Sequence, residues 1–176
     1  MASYDGEEDP GMLAFKAGEF TTALSQWNIR LRSTRYALNH STNSEFRAIH
    51  LKTLFNLSLV CLKLEIWSEC ITHCDEALQF DPENEKTLYR KAVALRGRGC
   101  SEESLSCVKH MSKIYPENRA ALALQLKLKT EIMELRASQS RMWSKSFSSK
   151  KRQSPLEKLI EFLASIFRKL VNFLFR

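Results

Sequence analysis

An all-α solenoid of antiparallel helix pairs is the fold this sequence predicts, and three observations predict it. Asp81-Pro82-Glu83-Asn84 recurs as Tyr115-Pro116-Glu117-Asn118, which puts the two prolines 34 residues apart. Apolar and small residues recur at matching offsets within that period. Gly and Pro, which interrupt helices, number only 5 and 4 in 176 residues.

A period of 34 residues is that of the tetratricopeptide repeat (TPR), in which each repeat is two antiparallel helices and a proline, tolerated at a helix start, opens the next. The first repeat, about residues 4–40, contains GMLAFKAGEFTTALSQW, where Gly18 turns the chain and Phe20, Ala23 and Trp27 take the packing positions of a second helix. Here the period stretches. Gly18 and its counterpart Glu65 are 47 residues apart, about thirteen beyond the repeat length, and Arg30 to Phe46 is expected to absorb the excess, with Ser41, Thr42, Asn43 and Ser44 marking a loop. The second repeat, 48–82, places Leu54, Leu57, Ser58 and Cys61 on its first helix and Trp67, Cys70, Cys74 and Ala77 on its second. The third, 83–116, has Leu88, Ala92, Leu95, Gly99, Ser104, Cys107 and Met111 at comparable offsets. Small residues let helices cross closely and large ones fill the gaps, as stacked pairs require. Residues 117–137 have few breakers and read as the helix that closes the last open face. The TPR domain is thus expected over 1–137, followed by a basic Ser-rich linker over 138–154 and an amphipathic helix over 155–176.

The net charge of +7 is unevenly placed. Residues 1–135 hold 17 Lys and Arg against 18 Asp and Glu, whereas 136–176 hold 10 against 2. A neutral body argues against a nucleic-acid partner and leaves the basic tail to be explained separately. Five cysteines in no framework spacing, with no apolar N-terminal leader, suit a reducing cytoplasmic location.

The stretch LFNLSLVCLKLEIWSECITHCDEALQFDPENEKTLYRKAVAL, followed by YPENRAALALQLKL, resembles the TPR domain of the large immunophilins, FKBP-type peptidyl-prolyl isomerases that act as co-chaperones. The resemblance covers roughly residues 8–147, with the repeats starting almost at Met1 and no isomerase domain before them, so the expectation is either a fragment or a relative without its enzyme. It implies a protein-binding adaptor whose carboxylate clamp grips the C-terminal Glu-Glu-Val-Asp of heat-shock proteins 90 and 70. By position, Asn56, Lys86 and Arg90 match three clamp residues, while Glu8 and Met12 stand where the family has Lys and Asn. Lys86 and Arg90, four apart, share a helix face and can converge on a carboxylate to which Asn56 offers an amide donor. A carboxylate at position 8 would repel the ligand, so a weakened clamp is expected; a merely solvated basic face is the alternative.

Catalytic and cofactor chemistry find no footing. Cys70, His73 and Cys74 fall within about one turn of a helix, but a structural zinc site takes four ligands and no second cluster lies nearby in sequence, so packing is the preferred reading and no metal is expected. His40, His50 and His110 are isolated, which leaves no nucleophile and base to pair. Gly97 and Gly99 belong to a repeat turn rather than a phosphate loop.

The tail carries its own signal. In PLEKLIEFLASIFRKLVNFLFR, Leu159, Ile160, Leu163, Ile166, Phe167, Leu170 and Leu174 follow helical spacing, with charged residues opposite and Lys150, Lys151 and Arg152 just before. Its longest charge-free runs are six residues, far short of the ~20 a membrane span needs. A helix lying in the membrane surface is therefore expected, its cations toward anionic head groups. The alternatives are a tail packed on the repeats of a soluble scaffold, or a calmodulin-type target helix. Oligomeric state is not fixed by these patterns.

Overall fold

A computed structural model describes residues 9–40, 43–149 and 155–174, with side chains described over 9–40, 43–147 and 159–168. The chain is all helix and turn in these residues, with α1 Pro10–Lys16, α2 Phe20–His40, α3 Ser44–Lys63, α4 Trp67–Phe80, α5 Glu85–Gly97, α6 Ser101–Ile114, α7 Arg119–Ser149 and α8 Pro155–Leu174. Residues 1–132 form one compact unit and 133–176 a second.

In the first unit α1/α2, α3/α4 and α5/α6 are consecutive pairs, each helix packing on the next, and α3 also touches α5. Their turns repeat one device. Gly18, Glu65 and Gly99 all have positive φ, at 81°, 58° and 87°. In each case the following amide reaches back to close the helix end: Glu19 N to Ala14 O, Ile66 N to Cys61 O and Cys100 N to Leu95 O, all at 2.9 Å. Between pairs, Asn84 and Asn118 cap α5 and α7, accepting from Thr87 N at 3.0 Å and Ala121 N at 2.8 Å. Pro82 and Pro116 therefore lie in the turn before the capping Asn, not inside the helix they precede, whereas Pro10 and Pro155 stand at the first positions of α1 and α8.

The extra residues of the first repeat are helix, not loop. α2 has 21 residues against 14 in α4, and α3 has 20 against 13 in α5, so each gains about two turns. Asn43 caps α3 and Ser44 begins it, which corrects the loop expected there; Ser41 and Thr42 lie outside the described residues.

Packing follows the small-residue positions. Cys70 Sγ donates to Ser58 O at 3.2 Å, and one repeat later Ser104 Oγ donates to Ala92 O at 2.6 Å. Trp27 lies over Gly11 and Trp67 over Gly97, where a Cβ would meet the Trp67 ring at 2.6 Å. Val108 is fully buried while its neighbour Cys107, the expected packing residue, is only half-buried. Two apolar clusters result, one centred on Trp27, Leu54, Leu57 and Cys74, the other on Leu88, Val108, Met111 and Leu128. The first part of α7 closes the second cluster, fixed by Arg96, whose Nε and Nη2 donate to Glu131 at 2.9 and 2.6 Å.

In the second unit, α7 continues as helix to Ser149, past the boundary at 137 and into the segment expected to be linker. Met142, Trp143 and Phe147 are exposed on it. α8 occupies most of the expected tail helix, and Leu159, Ile160, Phe162, Leu163, Ile166 and Phe167 are all exposed. No described helix is long and apolar enough to cross a membrane.

Candidate peptide-binding face

α3 and α5 are the first helices of adjacent pairs and touch each other; Asn56 lies on α3, and Lys86 and Arg90 lie on α5. Arg90 Nη1 crosses to α3, donating to Phe55 O at 2.8 Å and Ser58 Oγ at 3.2 Å. The guanidinium is thus held beside Asn56. Its pKa is lowered by burial, against the opposing pull of the Cys74 and Cys70 thiols. Asn56 is half-buried, and its Nδ2 is fully buried with no hydrogen-bond partner among the described residues. An amide donor in that condition forgoes a bond that buried polar groups nearly always make. Lys86, one turn before Arg90 on α5, is exposed. Arg90 thus reaches α3 at the residue before Asn56, and Lys86 lies one turn from Arg90 on the same face of α5, but Arg90 is also a strut between two helices. Met12 is half-buried against the first apolar cluster, and Glu8 lies outside the described residues.

A second polar site was not legible. His50, isolated in sequence, is 1% exposed and bonds Thr34 Oγ1 through Nδ1 at 2.9 Å and Glu76 Oε1 through Nε2 at 3.1 Å. Arg35 Nε donates to the same Glu76 oxygen at 3.1 Å. Burial lowers the His50 pKa more than Glu76 raises it, so the neutral ring donates from Nε2 to Glu76 and accepts from Thr34. The network floors a cavity of about 560 Å³ between α2, α3 and α4, where Arg47 lies over the Phe80 ring at 5.2 Å. The nearest sequence signal was the thirteen surplus residues of the first repeat, which were expected as a loop rather than as longer α2 and α3.

The cysteines of α4 pack as expected. Cys70 and Cys74 are buried and share a hydrogen bond, which lowers the first thiol and raises the second.

Comparison with known proteins gives the fold a relative. The chain is 29% identical over 116 residues to the peptidyl-prolyl cis-trans isomerase FKBP4 of Homo sapiens, covering 65% of this chain and 25% of that protein. It is homologous to FKBP4 over that TPR-containing stretch. The chain thus spans about a quarter of the length of the curated relatives it matches. No family model matches. Among solved structures, the Hsp90 co-chaperone Cns1 from Saccharomyces cerevisiae superimposes with a TM-score of 0.68 at 22% identity, covering 86% of this chain and 46% of Cns1. The second TPR domain of human RPAP3, solved with the HSP70 peptide SGPTIEEVD, gives 0.54 at 19% identity over 69% of this chain and 90% of that domain. The repeat body has the TPR fold.

Proposed function

We propose that this chain is a non-catalytic TPR adaptor whose α3/α5 face takes the acidic C-terminal peptide of a heat-shock protein 90 or 70 chaperone. The observation that carries the reading is the unpartnered Nδ2 of Asn56 beside a guanidinium already held in place. A carboxylate there accepts the missing amide bond and gains charge-assisted donors from Arg90, with Lys86 adding exposed positive charge. The likeness to Cns1, an Hsp90 co-chaperone, and to the peptide-bound RPAP3 domain supports that choice of ligand. Met12 offers no amide where the family has Asn, so the complex is weak.

The test is fluorescence anisotropy of labelled SGPTIEEVD with the full chain. Lys86→Ala should weaken binding by up to about fivefold, as expected for one exposed charge. Added salt should weaken it too, and an amidated peptide C-terminus should nearly abolish it. Met12→Asn should tighten it. Equal affinity for the free and amidated peptides would return the face to a solvated surface. Arg90→Ala is the less clean probe, since it also releases Phe55 O and Ser58.

The second half of the proposed function is attachment of this adaptor to the cytosolic face of a membrane through α8. The exposed apolar residues Leu159, Ile160, Leu163, Ile166 and Phe167 favour it. So does the basic sequence before the helix, at Lys150, Lys151 and Arg152, which lies outside the described residues, as do the side chains of Leu170 and Leu174. The full chain should sediment with phosphatidylserine vesicles, less with neutral ones, and Leu163→Glu with Phe167→Glu should release it. Equal sedimentation of a chain ending before Pro155 would overturn the attachment.

A further inference from the structure

The turn between α3 and α4 brings together three side chains that sequence spacing kept apart. Cys61 sits in the last turn of α3, while Glu69 and His73, four residues apart, share a face in the first turns of α4. The thiol sulfur, a carboxylate oxygen and a ring nitrogen all lie within 4.8 Å of one another. Cys61 is fully buried and His73 is 7% exposed. His73 Nδ1 is buried without a hydrogen-bond partner among the described residues, a condition that native interiors rarely tolerate without an ion or water. Glu69 is exposed and opens the cluster to solvent. Cys70 and Cys74 are engaged with each other and Cys70 donates to Ser58 O, so neither thiol belongs to this trio, although Cys70 lies near Cys61.

We propose that Cys61, Glu69 and His73 form a three-ligand site for a divalent zinc-class metal ion, with a fourth position left to water or an incoming ligand. A thiolate, an imidazole and one carboxylate make a borderline-soft donor set that suits zinc and not calcium or magnesium, which take oxygen shells. Thiolate and carboxylate together balance a 2+ charge, so the half-buried ion adds no net charge to the protein interior. On binding, the Cys61 S–H bond breaks, its proton leaves to solvent, and the sulfur pair goes to the metal. Metal–ligand bonds of about 2.0–2.3 Å place tetrahedral donors roughly 3.5 Å apart. Donors within 4.8 Å of one another therefore need to close by at most about 1.3 Å, and rotation of the exposed Glu69 side chain can bring its carboxylate toward the other two. An ion there would clamp α3 to α4 across the positive-φ turn at Glu65.

The experiment uses the full chain, reduced and stripped of metal, titrated with Co2+ as a spectroscopic stand-in for Zn2+. Expected are a thiolate-to-cobalt band saturating at one equivalent, its bleaching by Zn2+, and a melting temperature several degrees higher with one equivalent of Zn2+. Glu69→Gln, an exposed change that leaves the fold intact, should weaken Co2+ binding at least about tenfold, and Cys61→Ser should remove the band. Cys107→Ser should leave both signals unchanged. No band in the wild-type chain, a band that survives Cys61→Ser, or undiminished binding by Glu69→Gln would each overturn the site. If Cys61→Ser fails to fold, Glu69→Gln decides the matter alone.

Discussion

Within the single helix α7, Ala121, Leu124, Leu128 and Ile132 are buried, while Met133, Leu135, Met142, Trp143 and Phe147 beyond them are exposed. The same contrast separates the two units of the molecule. In residues 10–132 the apolar stripe of each helix meets a neighbour, whereas from 133 onward the described apolar residues, including those of α8, meet solvent. Helix formation and helix burial are therefore separable in this chain. Local propensity and spacing make a helix in both regions, but only the first supplies a facing helix at the repeat interval. Exposed apolar surface of this kind is what the proposed membrane attachment would cover.

The sharpest way to test that contrast is to make one substitution in each region. Trp27 is 1% exposed, rests on Gly11 and Phe15, and donates from Nε1 to Asp9 at 3.0 Å. Trp143 is 65% exposed and, among the described residues, stacks on Phe147 with ring centroids 6.1 Å apart. Trp27→Ala should cost about 3–5 kcal/mol in urea unfolding. Trp143→Ala should stay within about 0.5 kcal/mol. A comparable loss at Trp143 would mean that the second unit is part of the cooperative core.

Acid comes next in size, and it acts on the body. Burial holds His50 and His73 below the ordinary histidine value. Both remain neutral in the folded chain at a pH where the unfolded chain binds protons. The unfolded state then holds more protons, so stability should be full above about pH 6.5 and fall as pH drops below it. A second loss follows at lower pH. Burial would raise Asp9 and Glu76, but hydrogen bonds from Trp27 and Arg30, and from Arg35 and His50, outweigh it; the Arg96 hydrogen bond lowers Glu131. These carboxylates favour the fold above about pH 4, and that contribution disappears as pH falls through their lower folded values. Circular dichroism melts from pH 7.5 to 3.5 should show both limbs, and His50→Gln should flatten the first.

What the sequence revealed was what is local. The 34-residue register was legible because Asn84 and Asn118 cap helices through bonds that span three residues, and because Gly18 and Gly99 answer a local need for positive φ. The thirteen surplus residues were countable, but their division was not, since Asn43 and Ser44 look like loop whether they make one or start a helix. Asn56, Lys86 and Arg90 could be named from a resemblance. The bond from Arg90 to Phe55 O could not, because it depends on the spacing between α3 and α5. His50 with Glu76, and Cys61 with His73, were hidden for the same reason: each pair is assembled by a helix turn rather than by adjacency in the chain.

The smallest expected effect tests whether the regularity of the body extends to its turns. Gly18, Glu65 and Gly99 occupy one position in three successive pairs, and only Glu65 carries a Cβ into the left-handed region, at φ 58°. An L-residue there bears a steric cost of about 1–2 kcal/mol, part of which glycine returns through the greater freedom of its unfolded chain. Glu65→Gly should therefore raise stability by about 0.5–1 kcal/mol in urea unfolding. In the exposed second part of α7, Ser144→Gly should do the opposite, lowering helicity at a cost of about 0.5 kcal/mol because glycine there meets a right-handed helix. One residue type thus gains in the body and loses in the tail, with the sign set by backbone conformation alone. A destabilising Glu65→Gly would show that the Glu65 side chain makes a contribution larger than its strain, and the three turns would cease to be equivalent.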